Sequence, residues 1–460
     1  MQRLTNTPFD RLEIGMHAEQ RRLCLLDDLY VFANASGNMN PMHLPKVDGD
    51  GDGEPEAVAP SMWIAAALSA VLGNFLPGPG TLYKNLSIEF AGRAHAGEEI
   101  VASVRLAEKL PGRVARFEVR VDRVDGTPIA HGFAEVIAPE RELSFDASDV
   151  PGLTVRRHAH FEALLEQAEP LAPIATAVVA PEEPHSLGGA LLAARHTLIV
   201  PILIGDRDKI LAAAAELGED ISGLELIDVA DHAAAAGAAV ALVGQGRAMA
   251  VMKGMLHTEE LLRAAFRSEG GLRTKRRASH VFVMDVPGLD HLLMVSDAAI
   301  NIAPALEEKV DIVQNAIDLA HALGIELPRV GILSAIETVN PKIPSTLDAA
   351  ALSKMAERGQ IRGGLVDGPL AMDNAINMGA AKTKGINSLV AGRAEVLIVP
   401  NLEAGNMLAK ELIFLAHAEA AGIVVGLRCP VILTSRADDD KARLASCAVA
   451  ALYAEWVRKG

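Results

Sequence analysis

The chain reads as an α/β protein built on a parallel sheet, preceded by a smaller α+β region in which one helix is wrapped by antiparallel strands. Three observations carry this. From residue 175 onward, short apolar runs alternate with alanine-rich helical stretches, the pattern of strands buried on both faces. Between residues 83 and 137 the pattern changes to consecutive strands with no helix between them. Aromatic residues make up only 3% of 460 residues, so alanine, valine, isoleucine and leucine must fill the core. That suits helices packed on parallel strands better than a β-sandwich.

A chain of this length exceeds one ordinary core, and two or three domains are expected. An apolar fraction of 50% and a charged fraction of 22% are those of a globular protein. The net charge of −16 would repel nucleic acid and anionic membranes, so neither is expected as a partner, whereas a small anion needs only a local basic pocket. Cys24, Cys429 and Cys447 are far apart and form no C-x-x-C pair, which excludes a recognisable zinc or redox motif and favours a reducing compartment. No apolar run reaches the roughly 20 residues that span a bilayer, and the N-terminal residues MQRLTNTPFDRLEIG lack the apolar core of a signal peptide. A cytoplasmic location is expected.

In chain order, Leu25–Ala35 has the character of a helix that Asp27 or Asp28 caps. The turn Ser36–His43 follows, then the acidic stretch DGDGDGEPE at 48–56. Asp48, Asp50 and Asp52 alternate as in an EF-hand loop, but the required glutamate would fall on Ala59, so a solvated loop without metal is expected. Ala59–Leu76 is apolar enough for a buried helix, closed by Pro77-Gly78-Pro79-Gly80. The strands Tyr83–Phe90, Glu99–Leu106, Val114–Val121 and Ile129–Ile137 come next. One buried helix wrapped by antiparallel strands is the hot-dog arrangement. Residues 35–43, ASGNMNPMH, resemble the A-S-G-D-x-N-P-x-H motif of the MaoC-like hydratases. That resemblance implies enoyl-CoA hydration by an Asp/His acid–base pair. His43 matches the histidine, but Asn38 stands where the family has aspartate, and an amide cannot take a proton as a carboxylate does. Two readings stay open for residues 1–145: a hydratase, alone or as half of a bifunctional enzyme, and a non-catalytic module that binds an acyl thioester or mediates oligomerisation.

Residues 146–164 are polar and read as a linker. Strands at Ala175–Val179, Ile199–Ile204 and Leu224–Asp228 then alternate with helices at Gly188–Ala194 and Lys209–Leu217. The run GQGRAMA at 244–250 has Met249 where a dinucleotide loop needs its third glycine, so no nicotinamide site is expected. Lys253, Gly254 and Thr258 lie between a strand and the helix Glu259–Phe266, where backbone donors, a lysine and a hydroxyl would hold a phosphate. Simple capping by Thr258 explains the spacing equally well. Arg273, Lys275, Arg276 and Arg277 form a basic cluster that would either contact the phosphates of a nucleotide-like cofactor or form a solvated face. Asp297 ends a strand and would line a crevice or cap a turn.

The helix Leu306–Leu323 closes at Gly324, followed by strands Val330–Leu333 and Gly364–Val366 around the helix Leu347–Arg358. The stretch 395–440 reads as two buried strands, Val396–Val399 and Val431–Thr434, joined by an alanine-rich helix. Ligands of open α/β sheets lie beyond the carboxyl ends of strands, so Asn401–Asn406 and Ser435–Asp440 are expected to border one crevice. The hydroxyl of Ser435 beside the guanidinium of Arg436 suits an anionic, oxygen-rich substrate.

The segments SHVFVMDVP, SDAAINIAP, ETVNPKIPSTLDA, RGQIRGGLVDGPLAMDNAI, KGINSLVAG, VPNLEAGNMLAKEL and PVILTSRADD, in this order, resemble the phosphate acetyl/butyryltransferase family. VDGPLAMDNA and LTSRADD are nearer the butyryltransferase branch. The resemblance implies a two-lobed parallel-sheet acyltransferase domain over 165–460. Lobe one would span about 165–300 plus 436–460, and lobe two about 301–435. It also implies reversible acyl exchange between coenzyme A and phosphate, with acyl-CoA, inorganic phosphate and acyl phosphate as partners and no permanently bound cofactor. A homo-oligomer is expected, since hot-dog domains commonly pair. By the same resemblance Ser435 stabilises the transition state and Arg436 binds phosphate. The family's base falls near Lys441 or Ala442 here. Asp438, Asp439 and Asp440 lie just upstream and could substitute, with Asp438 the candidate, unless nearby cationic charge on the thiol makes a base unnecessary. Asn401, Glu403, Gly405, Asn406 and Lys410 match the family's P-x-L-x-A-G-N motif and its following lysine. Gly405 would let backbone approach a ligand, and Asp367 and Gly368 would sit on the neighbouring strand end.

Overall fold

The structure, a computed structural model, describes residues 3–150, 153–155, 158–433 and 440–459. It divides into two compact units, Met1–Val155 and Arg156–Gly460.

The first unit runs β1 (Arg3–Thr5), β2 (His17–Leu23), α1 (Leu26–Ser36), α2 (Ser61–Asn74), β3 (Leu82–Phe90), β4 (Glu99–Leu110), β5 (Val114–Arg123), β6 (Pro128–Ile137) and β7 (Ser144–Asp146). Five strands form an antiparallel sheet in the order β2-β4-β5-β6-β3, and β1 pairs with β7. Helix α2 carries almost no charge. It buries Trp63, Ile64, Ala67, Leu68, Val71 and Leu72 in one cluster with Ile100, Val104, Phe117, Val119, Ile129 and Val136 of the sheet. Each large side chain so buried contributes about 1.5–3 kcal/mol. This is the hot-dog arrangement. Helix α1 opens with Asp28 Oδ2 accepting from Leu25 N at 3.4 Å and ends at Gly37, whose φ of 73° is left-handed.

The second unit contains α3 (Ala159–Ala168), β8 (Ile174–Val179), α4 (Pro184–Arg195), β9 (Ile199–Gly205), α5 (Arg207–Leu217), β10 (Glu225–Asp228), α6 (His232–Gly244), β11 (Ala250–Lys253) and α7 (Thr258–Ala265). It continues with β12 (Ser279–Asp285), β13 (Leu293–Ser296), α8 (Leu306–Ala322), β14 (Arg329–Leu333), α9 (Pro344–Glu357), β15 (Leu365–Leu370), α10 (Met372–Ile376), α11 (Met378–Thr383), β16 (Val396–Ile398), α12 (Leu402–Phe414), β17 (Glu419–Val425), β18 (Val431–Ile432) and α13 (Asp440–Lys459). Among the described residues no helix is long and apolar enough to cross a membrane. Helix α3 opens inside the expected linker 146–164, where Phe161 N donates to the buried Asp285 Oδ2 at 2.9 Å.

Eleven strands form one sheet in the order β10-β9-β8-β11-β18-β17-β12-β13-β16-β14-β15. The outer strands of each half are parallel, but β18–β17, β17–β12 and β12–β13 are antiparallel. The parallel expectation is therefore corrected at the centre, where the two halves meet running in opposite directions. The cause is β17, a strand in a stretch whose alanines suggested helix: buried pairing on both edges overrides alanine's helical preference. Strands β12 and β13, expected in lobe one, accordingly pair beside β16 and β17.

Side chains alternate cleanly between the two sheet faces. On one face Val178, Leu203, Met252, Ile423, Val281, Met294, Ile398 and Ile332 belong to a single cluster with buried residues of α3, α4, α8, α9 and α13. The other face carries two separate clusters. One holds Val179, Ile204, Val251, Val424 and Leu433 against α6 and α7, and the other holds Met284, Val295, Leu397 and Val399 against α10, α11 and α12. His280 of β12 and Gly422 of β17 lie on this face and belong to neither cluster. Both are buried, on the strip of sheet where the two clusters adjoin.

Candidate active site

Across this strip the register sets Met252 beside Ile432, and Gly422 beside Phe282, while Leu433 N donates to Gly422 O at 3.0 Å. A Cβ on Gly422 would lie 2.3 Å from Leu433 O and 3.1 Å from His280 Nε2, so glycine is required for β17 and the end of β18 to meet. The His280 ring is 2% exposed and stands edge-on to Phe282 with centroids 4.4 Å apart. Burial pushes its pKa down to about 3, so the ring is neutral, and among the described residues its Nδ1 has no hydrogen-bond partner.

Lys253 ends β11 rather than following it, and is buried on the same face, two residues beyond Val251. Gly254 continues the pairing past the strand. Its N–H donates to Val179 O at 2.8 Å, and a Cβ would lie 2.4 Å from the carbonyls of Val179 and Ala180. The β8/β11 boundary is where the order of parallel connections reverses, the position at which open α/β sheets bind ligands. The capping role weighed for Thr258 is corrected: Thr258 is the first residue of α7, and His257 is the N-cap, its N–H donating to Glu260 Oε2 at 3.1 Å.

A cavity of about 210 Å³ opens at the other end of α7, lined by Phe266, Arg273, Arg276, Arg277, Ala278, Ile300 and Leu427. Thr258 and Phe266 are separated by eight residues, about 12 Å of helix, so the lysine loop and the arginine cluster are separate stations rather than one phosphate site. Arg276 and Arg277 are held, not loose. Arg276 pairs with Asp318, and its Nη1 also reaches Asn315 Oδ1 at 3.4 Å. Arg277 Nε donates to Asn301 Oδ1 at 2.8 Å, its Nη1 is 3.0 Å from Glu308, and its backbone N–H donates to Asp311 Oδ2 at 2.7 Å.

Asp297 proves to be the cap of the turn that follows β13. Burial raises its carboxyl above the usual range, against the hydrogen bonds from Ala299 N at 2.9 Å, Ile300 N at 3.0 Å and Asn301. The turn is also where α12 docks. Asn401 caps α12, its Oδ1 accepting from Ala404 N at 2.9 Å, and Asn406 Nδ2 donates to Ala298 O at 3.4 Å. Gly405 does allow a close approach, but of the protein's own chain: a Cβ would lie 2.8 Å from Val399 Cγ2 and 3.0 Å from Ala298 Cα and Asp297 O. Glu403 and Lys410 are exposed on the same helix. Asp367 and Gly368 lie within β15, which is separated from β16 by β14, so they do not stand on a neighbouring strand end. There Asp367 Oδ1 accepts from Gly368 N at 2.8 Å and Ser353 Oγ at 3.3 Å, while Gly368 makes room for Ile332.

Ser435, Arg436, Asp438 and Asp439 lie outside the described residues. The strand-end argument that paired 435–440 with 401–406 is corrected. Strands β16 and β18 are related by three antiparallel pairings, so their carboxyl ends are on opposite edges of the sheet. The last described residues after the two strands, Val399 and Leu433, do lie on the same sheet face. Sequence reasoning missed β17, His280 and Asn301. The run AINIAP gave Asn301 no distinguishing mark, and only pairing reveals His280.

In the first unit, Asn38 is exposed and its Oδ1 accepts from Asn40 N at 3.2 Å. His43 Nδ1 is 2.8 Å from Val58 O, and since a carbonyl only accepts, Nδ1 carries a proton. Asp48, Asp50, Asp52 and Glu56 bring carboxylate oxygens within 4.8 Å of one another on an ordered turn, where Asp48 accepts from Gly51 N at 2.6 Å and Gly53 N at 2.8 Å.

Comparison with known proteins bears on the second unit. Residues 232–451 match the family model described as phosphate acetyl/butaryl transferase. The phosphate acetyltransferase of Rhizobium meliloti is 59% identical over 294 residues, covering 64% of this chain and 93% of that protein. The phosphate butyryltransferase of Clostridium acetobutylicum is 47% identical over 253 residues, covering 55% of this chain and 84% of that protein. Among solved structures, a branched-chain phosphotransacylase from Enterococcus faecalis V583 superposes with a TM-score of 0.55 at 30% identity, covering 61% of this chain and 99% of its own. With 59% identity over 93% of the Rhizobium meliloti protein and a family-model match over residues 232–451, the chain belongs to the phosphate acetyl/butaryl transferase family.

Proposed function

We propose that residues 156–460 transfer a short acyl group reversibly between coenzyme A and inorganic phosphate. The observation that carries this is the 59% identity to a phosphate acetyltransferase over 93% of that protein's length. In the acyl-CoA-forming direction the CoA sulfur attacks the acyl phosphate carbonyl carbon. The C–S bond forms, the C–O bond to phosphate breaks, and phosphate leaves with the electron pair. The thiol proton passes to a base, for which Asp438 or its neighbours Asp439 and Asp440 are the candidates. Ser435 donates to the carbonyl oxygen as charge develops there, and Arg436 holds the phosphate. Lys253 brings a cation to the same sheet face as His280, and Arg273, Arg276 and Arg277 suit the nucleotide phosphates of CoA, with Phe266, Ile300 and Leu427 beside its base. No permanently bound cofactor is called on, since holding both substrates together supplies most of the gain. Relatives named for acetyl and for butyryl transfer both stand high in identity, and the butyryl-like wording of VDGPLAMDNA and LTSRADD leaves the chain length to assay.

The test is acyl-CoA formation from acyl phosphates of two to five carbons without added metal or nicotinamide. Turnover is expected to drop by about 10²-fold or more in Arg436→Ala, the scale of losing one preorganised charge partner. Unchanged turnover in that variant would remove Arg436 from the site.

A second reading concerns residues 1–145. The sequence ASGNMNPMH and the fixing of His43 through its Nδ1 against Val58 O support an enoyl-CoA hydratase or a thioester-binding module. Enoyl-CoA consumption lost in His43→Ala favours the hydratase. Thioester binding without turnover favours the module.

A further inference from the structure

Asn301 is 2% exposed, and each polar atom of its side chain is engaged. Its Nδ2 donates to Asp297 Oδ2 and, at 3.0 Å, to Ala278 O, which fixes the orientation of the amide. The oxygen therefore points the other way, and it accepts from Arg277 Nε at 2.8 Å. Asp297 is itself immobilised by the N–H groups of Ala299 and Ile300. The chain of contacts runs from a buried carboxylate through a buried amide to a guanidinium that lines the arginine cavity. Glu308, 3.0 Å from Arg277 Nη1, would otherwise be the guanidinium's principal partner, drawing it toward α8. Burying a carboxylate and an amide to hold one exposed arginine is costly unless its position matters.

We propose that Asn301, seated by Asp297, is a positioning residue that sets Arg277 against the cavity to receive a phosphate group of the CoA nucleotide. The proposal rests on the acyltransferase reading above. Arg277 touches the substrate, and Asn301 acts only through it. With Nε on Asn301 and Nη1 against Glu308, Nη2 is the donor that meets an anion, and the guanidinium does not first have to leave a wandering conformation, so the ordering cost is met during folding.

The experiment compares the full-length chain with Asn301→Ala, Arg277→Ala and the double variant, using CoA and pantetheine as thiol acceptors of acyl phosphate. Pantetheine has the same thiol and no phosphate. Asn301→Ala should raise the KM for CoA by about tenfold, the loss of one charge-assisted hydrogen bond, with kcat and the pantetheine reaction changed by less than about twofold. The double variant should be no worse for CoA than Arg277→Ala alone, since coupled groups are not additive. Asn301→Ser, which removes less volume, serves if the alanine variant does not fold, and should show the same selective rise in KM. Additive effects of the two substitutions, or equal losses with CoA and pantetheine, would overturn the positioning role while leaving the acyltransferase reading in place. A wild-type chain that forms no acyl thioester with either thiol overturns both.

Discussion

Replacing Gly422 with alanine tests whether the meeting of β17 and β18 governs the site. The added Cβ would lie 2.3 Å from Leu433 O, a backbone atom that no rotamer change can move aside. Ordinary C···O contact begins near 3.3 Å, so the two chains must separate by about 1 Å. Overpacking of this kind costs about 1–3 kcal/mol. The upper end is expected, because the shift also stretches the Leu433 N to Gly422 O hydrogen bond of 3.0 Å. For a unit of about 300 residues, with an unfolding entropy of about 0.6 kcal/mol/K, that corresponds to a fall of about 5 °C in Tm. Leu433 leads directly into the segment holding Ser435 and Arg436, and a misplacement of about 1 Å at a reacting group costs on the order of 10²-fold in rate. Thermal unfolding by circular dichroism and acyl-CoA formation measure the two effects separately. Gly188→Ala is the control: its Cβ would meet only Leu217 methyls at 3.7 and 3.8 Å within helix α4, so it should stabilise by about 0.5–1 kcal/mol with activity intact. A Gly422→Ala protein with wild-type Tm and turnover would refute the argument that this close approach is obligatory.

Two pH-dependent outcomes follow from buried titrating groups. The His280 pKa is pushed down to about 3 by burial while the unfolded ring titrates near 6.5, so the unfolded chain binds the extra proton. Stability is full above 6.5 and lost as pH falls toward 3, at about 1.4 kcal/mol per pH unit. His280→Phe should flatten that slope in urea titrations between pH 6.5 and 5, and an unchanged slope would place the dependence elsewhere. At Glu182, burial would raise the carboxyl, but the Asp206 amide at 3.0 Å, His232 at 3.1 Å and Lys209 at 3.2 Å outweigh it and hold the pKa below the usual range. The stability it adds is present above the ordinary glutamate pKa and lost as pH falls through the lowered one, so Glu182→Gln should lose less stability than wild type on acidification through that range. Parallel acid titrations by fluorescence would show no such difference if the network contributes nothing.

Local patterns carried much of the chain. The buried helix at 61–74 and the four strands after it were legible because hydrophobic period and turn residues agree there, and nothing distant competes. The βα alternation from 174 to 228 was legible for the same reason. The stretch 419–425 was not. Its alanines fit a helix equally well, and the deciding term is hydrogen bonding to β12 and β18, which come from elsewhere in the chain. Asp297 shows the same limit at the scale of one residue: a strand-end aspartate lines a crevice or caps a turn, and only the donors around it distinguish the two.

By itself, the sequence determined the two kinds of architecture, the family through an ordered set of motifs, and the residue types available for anion chemistry. These depend on local period, composition and spacing. Tertiary structure alone decided which residues share a place. It set the two parallel halves in opposite directions, put the lysine loop and the arginine cavity at opposite ends of α7, and joined Asp297 and Asn301 to Arg277. The physical reason is that strand direction and burial are settled by pairing between segments distant in sequence, a property that no single stretch of residues contains.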